Sequence, residues 1–123
     1  MPTFVNRYIY IINHEANTLL ENKFETLTPL QNSVILSILK HTDELSSSAS
    51  LLDESHHTNR IRHELLNLIT PISGYIAMLS DGWMGDLNEH QLDHVHLIVL
   101  AVQRLTEYIR NYTVENTEQA ASS

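Results

Sequence analysis

Apolar residues recur at alternating spacings of four and three, and this pattern limits the possible folds more than any other feature. In the first segment, from about Thr3 to Glu21, the apolar positions are Val5, Ile9, Ile12, Ala16 and Leu19. Such spacing places side chains on one face of an α-helix. No segment alternates with a period of two, and only three glycines and three prolines interrupt the 123 residues. The sequence therefore predicts an all-α protein built from antiparallel helical hairpins.

Local signals place the start of a second helix. Thr28 is a favourable N-cap residue and Pro29 is favourable in the first turn. The side of this helix that is predicted to be buried consists of Gln31, Ile35, Ile38, Leu39, Thr42 and Leu45. The serine-rich run 46–50 is predicted to be a linker or bend.

A second hairpin is predicted after this run. Its first helix begins at residue 54 or 55 and ends at residue 80, where Gly82 can supply the left-handed residue that follows many helices. Asn88 and Gln91 have the spacing of a capping box, and the helix that they open is predicted to end near residue 112.

The helices divide the chain into three regions. Residues 1–50 form an N-terminal hairpin with its serine-rich linker, residues 51–115 form the second hairpin, and residues 116–123 form a disordered polar tail. A hairpin must bury its apolar arc, which a four-helix bundle achieves. The second hairpin can pair with another chain or with the first hairpin. We expect a homodimer, with the first two helices packing outside or extending the bundle.

The two halves share a spacing pattern. Residues 27–45 match residues 87–105 at a constant offset, with leucine, glutamine and aliphatic residues in common positions. The run Ile12-x-His14-Glu15 likewise resembles Ile61-x-His63-Glu64. Any two amphipathic helices share such spacing, and this simpler interpretation is favoured over duplication. If duplication is real, one chain can imitate a pair of hairpins.

The strongest chemical signal is a histidine followed by a carboxylate, with an amide one helical turn later. These residues are His63, Glu64 and Asn67. A neutral imidazole is a good nucleophile, and a neighbouring carboxylate can orient it and hold its proton. At about 100° per residue, His63, Asn67, Thr70 and Gly74 share one side of the helix. We call this set the polar stripe and predict that it is exposed, where a second protein can approach.

The opposite sides of the same two helices are predicted to form the core. The predicted core residues are Leu65, Leu68, Ile69, Ile72, Ile76 and Leu79 on the first, and Leu92, Val95, Ile98, Val99, Val102, Leu105 and Ile109 on the second. Leu97 and Leu100 lie outside the second arc. The first hairpin is expected to cover them, which is favoured over a ligand groove.

Residues from about 57 to 113 resemble the dimerisation and histidine-phosphotransfer (HisKA-type) domain of bacterial sensor histidine kinases. The residues in register are His63-Glu64-Leu65, Asn67, Ile69, Gly74-Tyr75, Gly85-Asp86-Leu87 and Gln91. The resemblance implies that His63 accepts a phosphoryl group through one imidazole nitrogen and that Glu64 orients the ring and accepts its other proton. It also implies that Asn67 positions water for dephosphorylating a response regulator. Thr70 and Gly74 would then contact the partner.

The sequence departs from the family pattern at two residues and lacks one domain of the family. Leu66 stands where the family often has arginine. Leu68 stands where the family usually has the proline that kinks the helix, and Pro71 could supply a displaced kink. The family's ATP-binding catalytic domain has no counterpart, since the chain has three glycines, no Asp-x-Gly-x-Gly and no GxxxxGK[ST] loop. We expect no self-contained kinase activity. The sequence is compatible with a phosphotransferase activity or with a response-regulator phosphatase activity.

Other features exclude several classes of function. A formal net charge of −8 opposes binding to nucleic acid, and no apolar run is long enough to span a membrane. Cysteine is absent from the sequence, which excludes disulfides and thiolate metal sites. His90 and His94 have a spacing that can chelate a metal, but no metal site is predicted from so weak a signal. A cytoplasmic location is expected.

The leading hypothesis is a stand-alone phosphotransfer or docking protein of a two-component pathway. Its partner would be the receiver domain of a response regulator, which would supply the magnesium ion, and a separate histidine kinase could phosphorylate it. No cofactor is expected on the chain itself. The alternative is a non-catalytic module that binds a histidine kinase or response regulator through the same hairpin as a decoy or inhibitor.

Overall fold

Four α-helices make up the computed structural model, which describes residues 2–21, 26–50 and 58–122. They are α1 (Pro2–Glu21), α2 (Pro29–Ala49), α3 (Thr58–Ser80) and α4 (Glu89–Ser122). The prediction of an all-α fold is confirmed. In the described ranges, no helix is both long enough and apolar enough to cross a membrane.

Two predicted boundaries differ from the structure. α2 continues to Ala49, so the prediction of a linker or bend is wrong for residues 46–49. α4 continues to Ser122, well beyond the predicted end near residue 112. The predicted start of the third helix at residue 54 or 55 falls outside the described residues. Disorder of the tail stays a prediction.

The helices form a bundle that is closed within one chain. α1 packs against α2 and α4, and α3 packs against the same two helices, so α1 and α3 lie diagonally opposite each other. Each helix contributes a fully buried isoleucine to the shared core, namely Ile12, Ile38, Ile72 and Ile98. The apolar side of the second hairpin is thus covered by the first hairpin. The homodimer expected from the sequence is not shown by this packing, and the bundle does not need a second chain to bury this core.

Capping interactions begin α2 and α4 where the sequence predicts. The Gln31 backbone N–H donates to Thr28 Oγ1 over 3.1 Å, and the Thr28 N–H donates to Gln31 Oε1 over 2.9 Å. At α4 the Gln91 N–H donates to Asn88 Oδ1 over 2.8 Å, and the Asn88 N–H donates to Gln91 Oε1 over 3.0 Å. Both capping boxes satisfy backbone donors that a helix N-terminus leaves free.

Gly82 ends α3 in the predicted way. Its φ of 81° is the left-handed conformation that glycine adopts without steric cost. The Trp83 N–H donates to the Met78 carbonyl over 3.1 Å, and the Gly82 N–H donates to the Leu79 carbonyl over 3.3 Å. These two bonds constitute a Schellman motif, which turns the chain sharply toward α4.

Gln31 also joins the two hairpins. Its side chain is buried, and Nε2 donates to the carbonyl oxygens of Gly85 and Asp86 over 3.2 and 3.3 Å. The amide oxygen serves the α2 cap while the amide nitrogen holds the α3–α4 turn. One buried side chain therefore fixes both the start of α2 and its position against the other hairpin.

Replacing Gln31 with alanine is expected to lower the free energy of unfolding by about 2–4 kcal/mol. The variant loses half of a capping box and two bonds to the neighbouring turn, and it leaves a small cavity. Urea denaturation followed by circular dichroism measures the loss. Asn32→Ala, at the exposed next position, is the control and should have little effect. Equal stability of the two variants would contradict this role of Gln31.

Candidate functional site

The polar stripe lies on the outer face of α3. His63, Asn67, Thr70 and Gly74 are all exposed, as the sequence predicts. The predicted core arc on the other side of α3 is buried, apart from Leu68, which is only partly buried against the core. A second molecule can therefore reach the His63 side chain without any opening of the bundle.

Toward Gly74, the surface of the polar stripe does not protrude. A Cβ atom at Gly74 would have no neighbour within 4 Å, which shows open space above that residue. The Thr70 hydroxyl donates to the Leu66 carbonyl over 2.8 Å and so lies along its own helix. Exposed Ser73 and Ala77 are also small. A second protein can come close to the α3 backbone here.

Glu64 pairs with Arg60, a partner that was not predicted from the sequence. Its carboxylate Oε1 lies 3.6 Å from Arg60 Nε, and 47% of the Glu64 side chain is exposed. An exposed pair of this kind contributes less than about 1 kcal/mol. The pair is therefore too weak to hold the Glu64 carboxylate firmly in this position. The i, i+4 spacing of Arg60 and Glu64 is the sequence signal that could have predicted this pair.

Pro71 lies inside α3, and the helix continues past it to Ser80. Proline has no N–H, so the carbonyl of Asn67 lacks the donor that normally comes from four residues later. Asn67 thus combines an exposed side-chain amide with a backbone carbonyl that receives no hydrogen bond from the backbone of position 71. A displaced kink at Pro71 stays a prediction.

A groove between α3 and α4 borders the stripe at Ser73. Its volume is about 510 Å³, and its lining includes Ser73, Leu100, Gln103, Arg104, Glu107 and Arg110. Leu100 and Leu97 are 49% and 46% exposed. The prediction that α1 and α2 cover these two leucines is wrong, because the first hairpin packs on the inner side of α4. Leu100 therefore adds an apolar contact surface beside the stripe.

The histidines of α4 belong to another part of the molecule. The ring centroids of His90 and His94 are 5.3 Å apart, and His94 Nδ1 lies 2.5 Å from Glu15 Oε2 of α1. His94 therefore links α4 to α1. Among the described residues, no group of three or more His, Cys, Asp or Glu side chains could hold a metal ion.

Comparison with known proteins gives one match. A family model described as "His Kinase A (phospho-acceptor) domain" matches residues 53–119, which is more than half of the chain. No curated protein and no solved structure matches the chain. The matched segment contains all of α3, including the polar stripe, and most of α4.

Proposed function

Because the chain belongs to the His Kinase A (phospho-acceptor) domain family, we propose that it exchanges a phosphoryl group between His63 and a response-regulator aspartate. Membership of this family implies a role in two-component phosphotransfer. The observation that carries the proposal is the exposure of His63 on an open stripe of α3 within the matched segment. Small residues and the Leu100 groove next to it support docking of a receiver domain.

The exchange is a displacement at phosphorus. The lone pair of one His63 nitrogen forms the P–N bond, while the bond from phosphorus to the aspartyl oxygen breaks and the aspartate leaves as a carboxylate. Glu64 accepts a hydrogen bond from the other ring nitrogen and stabilises the positive charge that develops on the ring. Catalysis comes mainly from positioning, and the receiver contributes magnesium and its acidic pocket.

The donor of the phosphoryl group lies outside these 123 residues, which contain no ATP-binding catalytic domain. In this proposal the donor is a histidine kinase or a phosphorylated receiver. The chain then acts as a stand-alone phosphotransfer protein. Its cytoplasmic location stays a prediction.

Phosphoryl transfer from a radiolabelled donor tests the proposal. The purified chain is incubated with a promiscuous histidine kinase and ATP, or with a phosphorylated receiver. We expect label that is labile to acid, stable to base and located on His63. A well-folded chain that takes no label from any donor would refute the proposal.

The exposed Leu97 and Leu100 support an alternative, in which the chain binds a histidine kinase or a response regulator without exchanging phosphate. Such a decoy or inhibitor would use the same hairpin. Binding measured together with label transfer separates the two functions, since a decoy binds its partner and never becomes labelled.

Asn67→Ala is expected to separate two activities of the site. The side chain lies one turn from His63 on the same face, where it can position water against a receiver's phosphoaspartate. Its loss should slow receiver dephosphorylation about 100-fold while His63 still accepts label. Release of inorganic phosphate from a labelled receiver measures this activity. Asn17→Ala, on the exposed face of α1, is the control. An unchanged rate in Asn67→Ala would contradict this role.

A further inference from the structure

The two hairpins bury equivalent residues at a constant offset of 60 positions. On α1 the buried positions are Val5, Ile9, Ile12, Ala16 and Leu19, and on α3 they are Leu65, Ile69, Ile72, Ile76 and Leu79. Every one of these side chains is at most 4% exposed. The pattern of burial on α1 is thus repeated, residue for residue, on α3.

The same offset relates α2 to α4. Buried residues of α2 include Ile35, Ile38, Thr42, Leu45 and Ala49, and their counterparts on α4 are Val95, Ile98, Val102, Leu105 and Ile109. The capping box of Thr28 and Gln31 also recurs 60 positions later in Asn88 and Gln91. Two unrelated amphipathic helices can share a spacing, but they have no reason to share one offset through a capping box and two helices.

The packing order agrees with this internal symmetry. Exchanging the hairpins turns the contact of α1 with α4 into the contact of α3 with α2, and both contacts exist in the bundle. The first hairpin therefore occupies the place that a second copy of the α3–α4 hairpin would occupy in a symmetric four-helix bundle.

The offset of 60 positions does not pair His14-Glu15 with His63-Glu64. Ile12 is equivalent by burial to Ile72, which makes His14 the counterpart of Gly74. The counterpart of His63 is then Thr3, a residue without an imidazole. The similarity of the two His-Glu pairs is a coincidence of sequence.

The α1 face that corresponds to the polar stripe has a different character. Its positions are Thr3, Arg7, Tyr10 and His14, in place of His63, Asn67, Thr70 and Gly74. Tyr10 is 66% exposed, and its ring stacks on that of His14 with centroids 5.7 Å apart. A bulky aromatic pair thus stands where α3 presents a threonine and a glycine. This face has no imidazole at the position that corresponds to His63, and the Tyr10–His14 pair makes its surface bulky.

We propose that this single chain is equivalent to a symmetric bundle of two hairpins. Of the two equivalent faces, on α1 and α3, only the α3 face binds a receiver domain and accepts a phosphoryl group. The molecule binds one receiver domain and accepts one phosphoryl group, both on α3, and the α1 face binds no receiver. This inference rests on the proposed function and adds the stoichiometry and the side of the bundle that the partner uses.

Native mass spectrometry of the full chain tests the stoichiometry. Alone, the chain should appear at its monomer mass of 14.1 kDa. With an excess of a receiver domain that exchanges label with it, it should form a complex of one chain and one receiver. Two receivers on one chain, or a complex of two chains with two receivers, would overturn the inference while leaving phosphotransfer by His63 intact.

A matched pair of substitutions tests the side of the bundle. Gly74→Trp places a large side chain in the open space above α3, and we expect it to weaken receiver binding by about tenfold or more. His14→Trp places the same bulky side chain at the equivalent α1 position and should leave the affinity unchanged. Circular dichroism verifies that both variants fold. An equal loss of affinity in the two variants would overturn the inference.

Failure of the proposed function has a different signature. In that case His63 takes no label from any donor and no receiver binds. The inference that only the α3 face binds a receiver is then refuted together with the proposed function. Labelled His63 together with a symmetric complex overturns only the inference.

Discussion

Replacing His63 with alanine is expected to abolish phosphorylation of the chain and to leave the fold intact. The variant lacks the only imidazole on the polar stripe, so no nitrogen remains there to form the P–N bond. Because the side chain is exposed, the free energy of unfolding should change by less than about 0.5 kcal/mol. Label incorporation and urea denaturation on the same preparation measure both effects.

His14→Ala is the matched control for this experiment. His14 is also an exposed helical histidine followed by glutamate, but it lies on the α1 face. Its loss should leave labelling unchanged. Residual base-stable label on the His63→Ala chain would show that another histidine accepts the phosphoryl group.

Ile38→Ala and Ile98→Ala are expected to destabilise the protein by similar amounts, about 2–5 kcal/mol each. Both side chains are fully buried, one on α2 and one on α4, and they occupy equivalent positions in the two hairpins. Because the bundle is closed within the chain, a cavity in the first hairpin weakens the support of the α3 helix that presents His63. Chemical denaturation of the two variants and the parent protein gives the comparison.

Leu36→Ala controls for the loss of a large apolar side chain, since Leu36 is 51% exposed on α2. It should cost much less than Ile38→Ala. The unfolding midpoint should also be independent of protein concentration, as expected for a bundle that needs no second chain. A large loss from Ile98→Ala with none from Ile38→Ala would contradict the closed bundle, as would a midpoint that rises with concentration.

Features specified by residues close together in sequence could be predicted. The two capping boxes depend on side chains three positions apart, and the end of α3 depends on one glycine. The exposure of the polar stripe followed from the rotation per residue of a helix. The sequence alone therefore predicts that His63 lies on an outer face, and the structure confirms its exposure.

Features specified by contacts between distant residues could not be predicted from the sequence. An apolar arc on the second hairpin has the same periodicity whether a second chain or the first hairpin covers it. With a second chain expected on this arc, the first hairpin was expected to cover Leu97 and Leu100. That prediction is wrong because the first hairpin covers the arc itself. The bond between His94 and Glu15 joins residues that are far apart in the chain, so no local spacing signals it. Ser46–Ala49 were predicted as a bend from their composition, but their position at the end of α2, with Ala49 buried, keeps them helical.

The most direct test of the central claim is the return of the phosphoryl group from His63 to a receiver. The chain is labelled on His63, separated from its donor, and mixed with an unphosphorylated receiver domain and magnesium. We predict that label leaves the chain and appears on the receiver as acid-stable, base-labile aspartyl phosphate. Label that stays on the chain, or is released as inorganic phosphate without passing through the receiver, would contradict the account.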